Sequence, residues 1–496
     1  MNRKAIEPTW RTRRKKGWHV MAGVRPAPMR ELLEARSVEE LLGFQKPYPK
    51  EIEIRGRIER SLVEEISRVK KEPDWMRRLR LRALELFYKL PMPRWVVGIE
   101  EIDLEEIAAY VKPKAEKAES WEDLPGWIKE YYTKLGLQEA VKRMLSGLTA
   151  VFDSETVLNL TKKELQEKGV ILLPMEEAVQ RYPDLVKQYF GRVFPASDHK
   201  FAALHHALWS GGAFVYVPPG IRLTQPIEAF FFIGSELEGQ FEHTLLIAGE
   251  NSYIEFIEGC AAPMLKKFSF HDGMVEIYAH RGARVHFYTV QNWSRNVINF
   301  NNKRAIAEEG AHVEWLEGSI GSKITYTYPT TILRGRGAST RNVSVAIANG
   351  PYIKDTGGKV IHAAPDTRSI IISKSISSNG GLSIYRGLVR VNRGAYRSVS
   401  HVQCDSLILD ERSKAYTYPR NEVNEPTAEV THEASVGRLG EDQLFYMASR
   451  GLSEGEAKAM IVLGFIQSVL RTLPMELFGI LSKVIELEFS EYGALG

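Results

Sequence analysis

Along the first part of the chain, apolar residues recur at three- and four-residue spacing with charges between them. "ELLEARSVEELLGF", "RIERSLVEEISRVKK", "EPDWMRRLRLRALELFYKL" and "DLEEIAAYV" share this pattern, which predicts amphipathic helices over residues 29–199. Pro-rich joints such as "LPMPRW" separate them. Near residue 200 the texture changes. "GGAFVYVPPGIRL", "TLLIAGENSYIEFIEG", "MVEIYAHRGARVHFYTV" and "STRNVSVAIANG" are short β-branched and aromatic runs bounded by Gly and Asn, which predicts strands. Beyond residue 425 the helical pattern returns. Ser453 and Glu456 form a capping box in "GLSEGEAKAMIVLGFIQSVLRTLP", and Pro474 divides that helix from "MELFGILSKVIELEF".

The strand region also repeats. Gly-Ala pairs open strands at Gly282, Gly310, Gly337 and Gly394, in steps of 28, 27 and 57, the last close to two such steps. A unit of this size predicts a solenoid in which each coil buries its apolar face against the next. An immunoglobulin-like sandwich does not account for a period sustained this long. The expected fold is therefore α+β, a parallel β-helix core over residues 200–425 between helical regions at 29–199 and 426–496. The broad apolar faces of the C-terminal helices suit either a cap on the solenoid's end or a surface for a partner.

Composition narrows the setting. The 496 residues, 44% hydrophobic and 26% charged, are those of a soluble globular protein. No run approaches the 18 or so apolar residues of a membrane span, and the N-terminal charges precede no apolar signal core. Two cysteines cannot build a disulfide framework, which points to a reducing cytoplasm. A net charge of +4 is too slight to imply a nucleic-acid partner. Arg11, Arg13, Arg14, Lys15 and Lys16 form a basic run beside Trp10 and Trp18, read here as part of a solvated tail over residues 1–28.

Several chemistries find no motif. Nothing fits G-x-x-x-x-G-K-[ST], since "GSIGSK" and "DTGGKVIH" have the wrong spacing. There is no G-x-S-x-G and no H-E-x-x-H; "THEASVG" sets His432 beside Glu433 without a second His. A self-contained nucleotidase, serine hydrolase or zinc protease is thereby disfavoured.

The cysteines remain. In "SVSHVQCDSLIL", alternation places Cys404 on the face of Val402 and Ile408, with His401, Gln403 and Asp405 opposite. In "SYIEFIEGCAAP", Cys260 shares a face with Ile254, Phe256 and Glu258. An inert buried thiol fits both positions, except that packing does not explain Glu258. An iron–sulfur cluster takes four ligands, mostly thiolate, and these two cysteines are 144 positions apart. A cluster at Cys404 would need carboxylate, imidazole or a second subunit. Glu433 and His432 are the nearest helpers, although strand neighbours point to opposite faces.

Taken together, "KFAALHHALWSGGAFVYVPPG", "GQFEHTLLIA", "FIEGCAAP", "VQNW", "NKRAIAEE", "VIHAAPDTRSIIISKSIS", "YRGLVRV", "QCDSLILD" and "THEASVGRLGEDQLFYMASRGLSEGEAKAMIVLGF" resemble the SufB family, scaffold subunits of the SUF iron–sulfur cluster assembly machinery. The resemblance runs from about Glu72 to about Glu488. It implies a right-handed β-helix and a scaffold that is not itself an enzyme. It also implies a SufC-like ATPase docked on the C-terminal helices and pairing of β-helix ends with a SufD-like paralogue or a second copy. By the same resemblance Cys260 accepts persulfide sulfur from a cysteine desulfurase. The sulfur then passes Gln291, Trp293 and Lys303 along the interior toward Cys404, where Glu433, with His432 as neighbour or alternative, completes a transient 4Fe-4S or 2Fe-2S site. In some assemblies of this kind a reduced flavin also takes part. One departure stands out: relatives often carry "YFRIN" where this chain has "FFFIG", so Phe232 and Gly234 predict a less polar lining on the sulfur route. Two other classes compete, a β-helix enzyme acting on acidic polysaccharides and a binding module using the basic N-terminus.

Overall fold

Six left-handed turn residues set the pitch of the core. Asn251, Gly282, Gly310, Gly337, Asp366 and Arg397 have φ between 55° and 69°, and each lies two residues ahead of a strand. Their amides stack from coil to coil. The N–H of Asn251 donates to the carbonyl of Arg281, Gly282 to Glu309, Gly310 to Arg336, Gly337 to Pro365, and Asp366 to Tyr396. Asp366 takes the place one coil after Gly337, because Asp tolerates the left-handed region that glycine favours, and in the next coil Arg397 takes it, so Gly394, five residues ahead of its strand, is not the expected repeat position.

The computed structural model describes residues 47–98, 102–134 and 146–471, together with 485, 488 and 489. The tail expected at 1–28, the helix expected at 31–44 and most of the last expected helix lie outside them. The described chain forms a parallel β-solenoid of about 8 turns with helices at both ends. One sheet is built from Ile227–Phe232, Tyr253–Ala261, Arg284–Trp293, His312–Gly321, Ser339–Asn349, Arg368–Ser378, Val399–Ile408 and Glu429–Arg438, all parallel. The facing sheet includes Ser269–Ala279, Val297–Ala307, Leu382–Val391 and Lys414–Val423. Alternation sends every second residue of each strand into the lumen. The interior near the strand starts is apolar, with Phe256 stacked on Phe287 and Phe287 tilted against Trp315, both at 5.2 Å between ring centroids.

At the N-terminal end the solenoid is closed by antiparallel pairing, Gly147–Phe152 with Glu155–Thr161 and Ile171–Pro174 with Ala213–Val217. The region 29–199 therefore holds strands as well as the expected helices Arg60–Val69 and Asp74–Lys89. The segment "DLEEIAAYV" is one of them: Ala108–Pro113 pairs with Lys50–Arg55, and Ile107 to Val111 are all buried, so no polar face is left for a helix. Buried Arg80 ties the helix Asp74–Lys89 to the solenoid, bridging Glu72 at 2.6 Å and donating to the carbonyl of Trp209 at 2.7 Å.

At the C-terminal end no further coil follows among the described residues. Among the described residues, Lys414–Val423 pairs only with Leu382–Val391, and Glu429–Arg438 only with Val399–Ile408. The helix Glu454–Leu470 carries the expected capping box. It does not cover this end but joins the apolar outer face of the first sheet, where Val462, Ile466 and Val469 cluster with Leu316, Val343 and Ile347. No helix among the described residues is long and apolar enough to cross a membrane.

Candidate functional site: a polar interior strip between two cysteines

Both cysteines point into the lumen, Cys260 2% and Cys404 3% exposed. Coil register connects them. Glu258, Thr289, Glu317, Ser344, Ser373 and Cys404 occupy one column of paired positions across six consecutive strands. The adjacent inward column runs through Cys260, Gln291, Ser319, Ala346, Ser375 and Ser406. Five strand spacings separate the cysteines, about 24 Å. Between them lies a band of hydroxyl, amide and carboxylate groups, with Ser344 donating to Ser373 at 3.0 Å and Ser375 bonded to Ser406 at 2.8 Å.

At the inner end the structure brings together all four residues expected on the sulfur route. The Gln291 amide lies 3.2 Å from Cys260 Sγ and 3.2 Å from Glu258 Oε1, while the Trp293 indole N–H donates to Gln291 Oε1 at 2.6 Å. Lys303 reaches across from the facing sheet to Glu258 at 2.8 Å and Glu317 at 3.2 Å. Burial works against the charge on Lys303, but Glu258 and Glu317 outweigh it and hold its pKa above the ordinary lysine range. Burial pushes the Cys260 thiol well up, Glu258 and Glu242 push it further, and Lys303 and Gln291 oppose them. The resting group is thus the neutral thiol, beside the two groups able to stabilise an anionic sulfur. Glu317 and the His271 ring, which packs 4.4 Å from Trp293 and bridges Glu242 to Asn299 at 2.7 Å each, escaped sequence reasoning. Only coil register brings them here.

Phe232 and Gly234 do not line this space. Phe231 is the residue paired with Cys260, and Phe232 turns to the other face, tilted against Phe152 at 5.1 Å. A side chain at Gly234 would meet Phe152 and Tyr48. The expectation that these two residues alter the lumen is therefore corrected by strand parity.

At the open end, Cys404 Sγ lies 3.1 Å from His432 Nε2 on the last coil. Burial, then Asp405, pushes this thiol up to about 11. Burial and nearby His401 hold His432 below the ordinary imidazole range, so a neutral ring faces the sulfur. Glu433 pairs with Gln403 on the opposite parity, and only its backbone carbonyl meets the thiol, at 3.6 Å. The chain thus offers one cysteine sulfur, which must lose its proton to bind, and one imidazole, donors suited to a soft or borderline metal, at the last coil among the described residues.

The site is thus a polar strip between two interior cysteines, one of them at the last coil among the described residues. Comparison with known proteins gives the family. Residues 231–465 match the family model described as "SUF system FeS cluster assembly, SufBD core domain", and residues 69–229 match "SufBD protein N-terminal region". Similar proteins include an iron–sulfur cluster assembly SufBD family protein of Staphylococcus epidermidis, 45% identical over 88% of this chain and 93% of its own length. One from Staphylococcus aureus is 46% identical over the same shares. The chain belongs to the SufBD family of iron–sulfur cluster assembly proteins.

Proposed function

We propose that this protein is the SufB-type scaffold on which sulfur and iron are assembled into a cluster and passed to apoproteins. The observation that carries this is the continuous polar strip from enclosed Cys260 to Cys404 at the open coil. The Cys260 sulfur attacks the outer sulfur of a cysteine desulfurase persulfide; a new S–S bond forms, the donor's inner sulfur leaves as a thiol with the proton that Cys260 gives up, and Cys260 becomes the persulfide. The Gln291 amide and the Lys303 ammonium face the anion so formed, and the lumen excludes oxidants. Reducing the transferred sulfur to sulfide takes two electrons, the capacity of a reduced flavin. Cys404 and His432 then hold the growing cluster, whose remaining ligands come from a second chain, a SufD-like paralogue or another copy, stacked on the last coil.

No nucleotide site is contributed by the motifs of this chain, so ATP turnover belongs to a SufC-like partner. Exposed Phe445, Tyr446 and Met460 on the C-terminal helices supply an apolar surface for it. The test is anaerobic reconstitution of the complex with iron and sulfide, followed by visible absorption. Supplied sulfide bypasses the sulfur route, so Cys404→Ala should lose the cluster band while Cys260→Ala keeps it. A full band in Cys404→Ala would remove that residue from the ligand set.

A further inference from the structure

The outer face of the first sheet carries a second donor cluster that the interior chemistry does not use. His286 and Glu314 are paired across adjacent strands, and His312 lies two residues before Glu314 on the same face. One ligand atom from each of the three lies within 4.8 Å of the others, and all three side chains are half-buried. Each is already oriented by a neighbour. His312 Nδ1 is bonded to Ser339 Oγ at 2.9 Å, which leaves Nε2 directed at Glu314 Oε2, 4.0 Å away. His286 Nδ1 meets the Tyr288 hydroxyl at 3.3 Å. Arg341 pairs with Glu314 Oε1, leaving Oε2 on the histidine side. Metal-ligating histidines are typically held this way, through the ring nitrogen that does not bind the ion.

We propose that His286, His312 and Glu314 bind one divalent transition-metal ion on the outside of the solenoid, separate from Cys260 and Cys404. Ligand distances of 2.0–2.2 Å require donor atoms about 3.4 Å apart, so closure asks each side chain to move by about 1 Å or less on a rigid strand framework. Two imidazoles and a carboxylate form a nitrogen–oxygen set with open positions, which suits Fe(II), Co(II) or Zn(II) and not a sulfur-demanding ion. Because the donors sit on neighbouring coils, the ion would also clamp the strands Arg284–Trp293 and His312–Gly321 together.

Co(II) tests this in the full-length protein under anaerobic conditions, because thiolate coordination gives intense near-ultraviolet charge transfer whereas a nitrogen–oxygen site gives only weak visible bands. One equivalent should produce the nitrogen–oxygen spectrum, and Zn(II) should displace it. Affinity should fall about tenfold or more in His286→Ala, His312→Ala and Glu314→Gln, and stay unchanged in Cys404→Ala. Thermal unfolding reports whether each variant is folded; if an alanine variant is not, the glutamine variant at that position is read instead. Absence of the nitrogen–oxygen spectrum in the wild type, or its survival at full affinity without either histidine, would overturn the assignment.

Discussion

Cys404 and His432 face each other across the last two coils of the first sheet, Sγ to Nε2 at 3.1 Å, while the side chain of Glu433 takes the other face. Strand parity therefore makes the imidazole the thiol's partner in the isolated chain. His432→Ala should weaken binding of a single Cd(II) ion, followed by thiolate charge-transfer absorption, by about tenfold or more. Glu433→Ala should leave that affinity unchanged. The reverse order would mean that the last coil rearranges before it binds metal.

The pKa of Cys404 sets a pH dependence. Burial, then Asp405, pushes this thiol up to about 11, so below that value the thiolate fraction rises about tenfold per pH unit. In a Cys260→Ala background, the alkylation rate by iodoacetamide should climb in this way from pH 7 to pH 10. An ordinary thiol titrates near 8.5 and would level off by about pH 9. A plateau there would contradict the buried, proton-holding environment of Cys404.

Among the described residues Lys303 is the positive partner of Glu258 and Glu317 in the lumen, and all three are buried. Removing it leaves two carboxylates facing each other without compensation. Lys303→Met should cost about 3–5 kcal/mol, read as a lower urea midpoint for unfolding. The triple variant Glu258→Gln, Lys303→Met, Glu317→Gln should recover most of the loss. If the single variant proves as stable as wild type, the ammonium does not carry the charge balance inferred for the sulfur pocket.

These interior partnerships also mark the limit of what the chain discloses before folding. Gly282, Gly310 and Gly337 betray the repeat because a left-handed turn favours glycine; Asn251, Asp366 and Arg397 do the same work and break the pattern. Period-two alternation was enough to put Cys260 beside Glu258 and Cys404 beside Val402. It could not pair Lys303 with Glu258, 45 residues away on the facing sheet, since that depends on the length of every intervening turn. "DLEEIAAYV" looks helical because a strand buried on both faces shows no alternation. Phe232 faces away from the lumen because its neighbour Phe231 is the residue paired with Cys260, a parity that needs the strand register.

The open coil makes a final prediction. Val423 and Val436 lie at the inward positions paired with Val391 and Ser406, yet they are 45% and 58% exposed, with no further coil stacked on them among the described residues. The strands that carry them also have one unpaired edge each among the described residues, a template that chains normally cover. Val423→Lys with Val436→Lys adds charge where a partner's last coil would pack, at two positions that are exposed in the chain alone. Its melting temperature should therefore match wild type. Association of the chain, with itself or with a co-expressed paralogue, should be lost in sedimentation velocity. Assembly that survives both lysines would place the partner elsewhere, and Cys404 would then have to find its remaining ligands within its own chain.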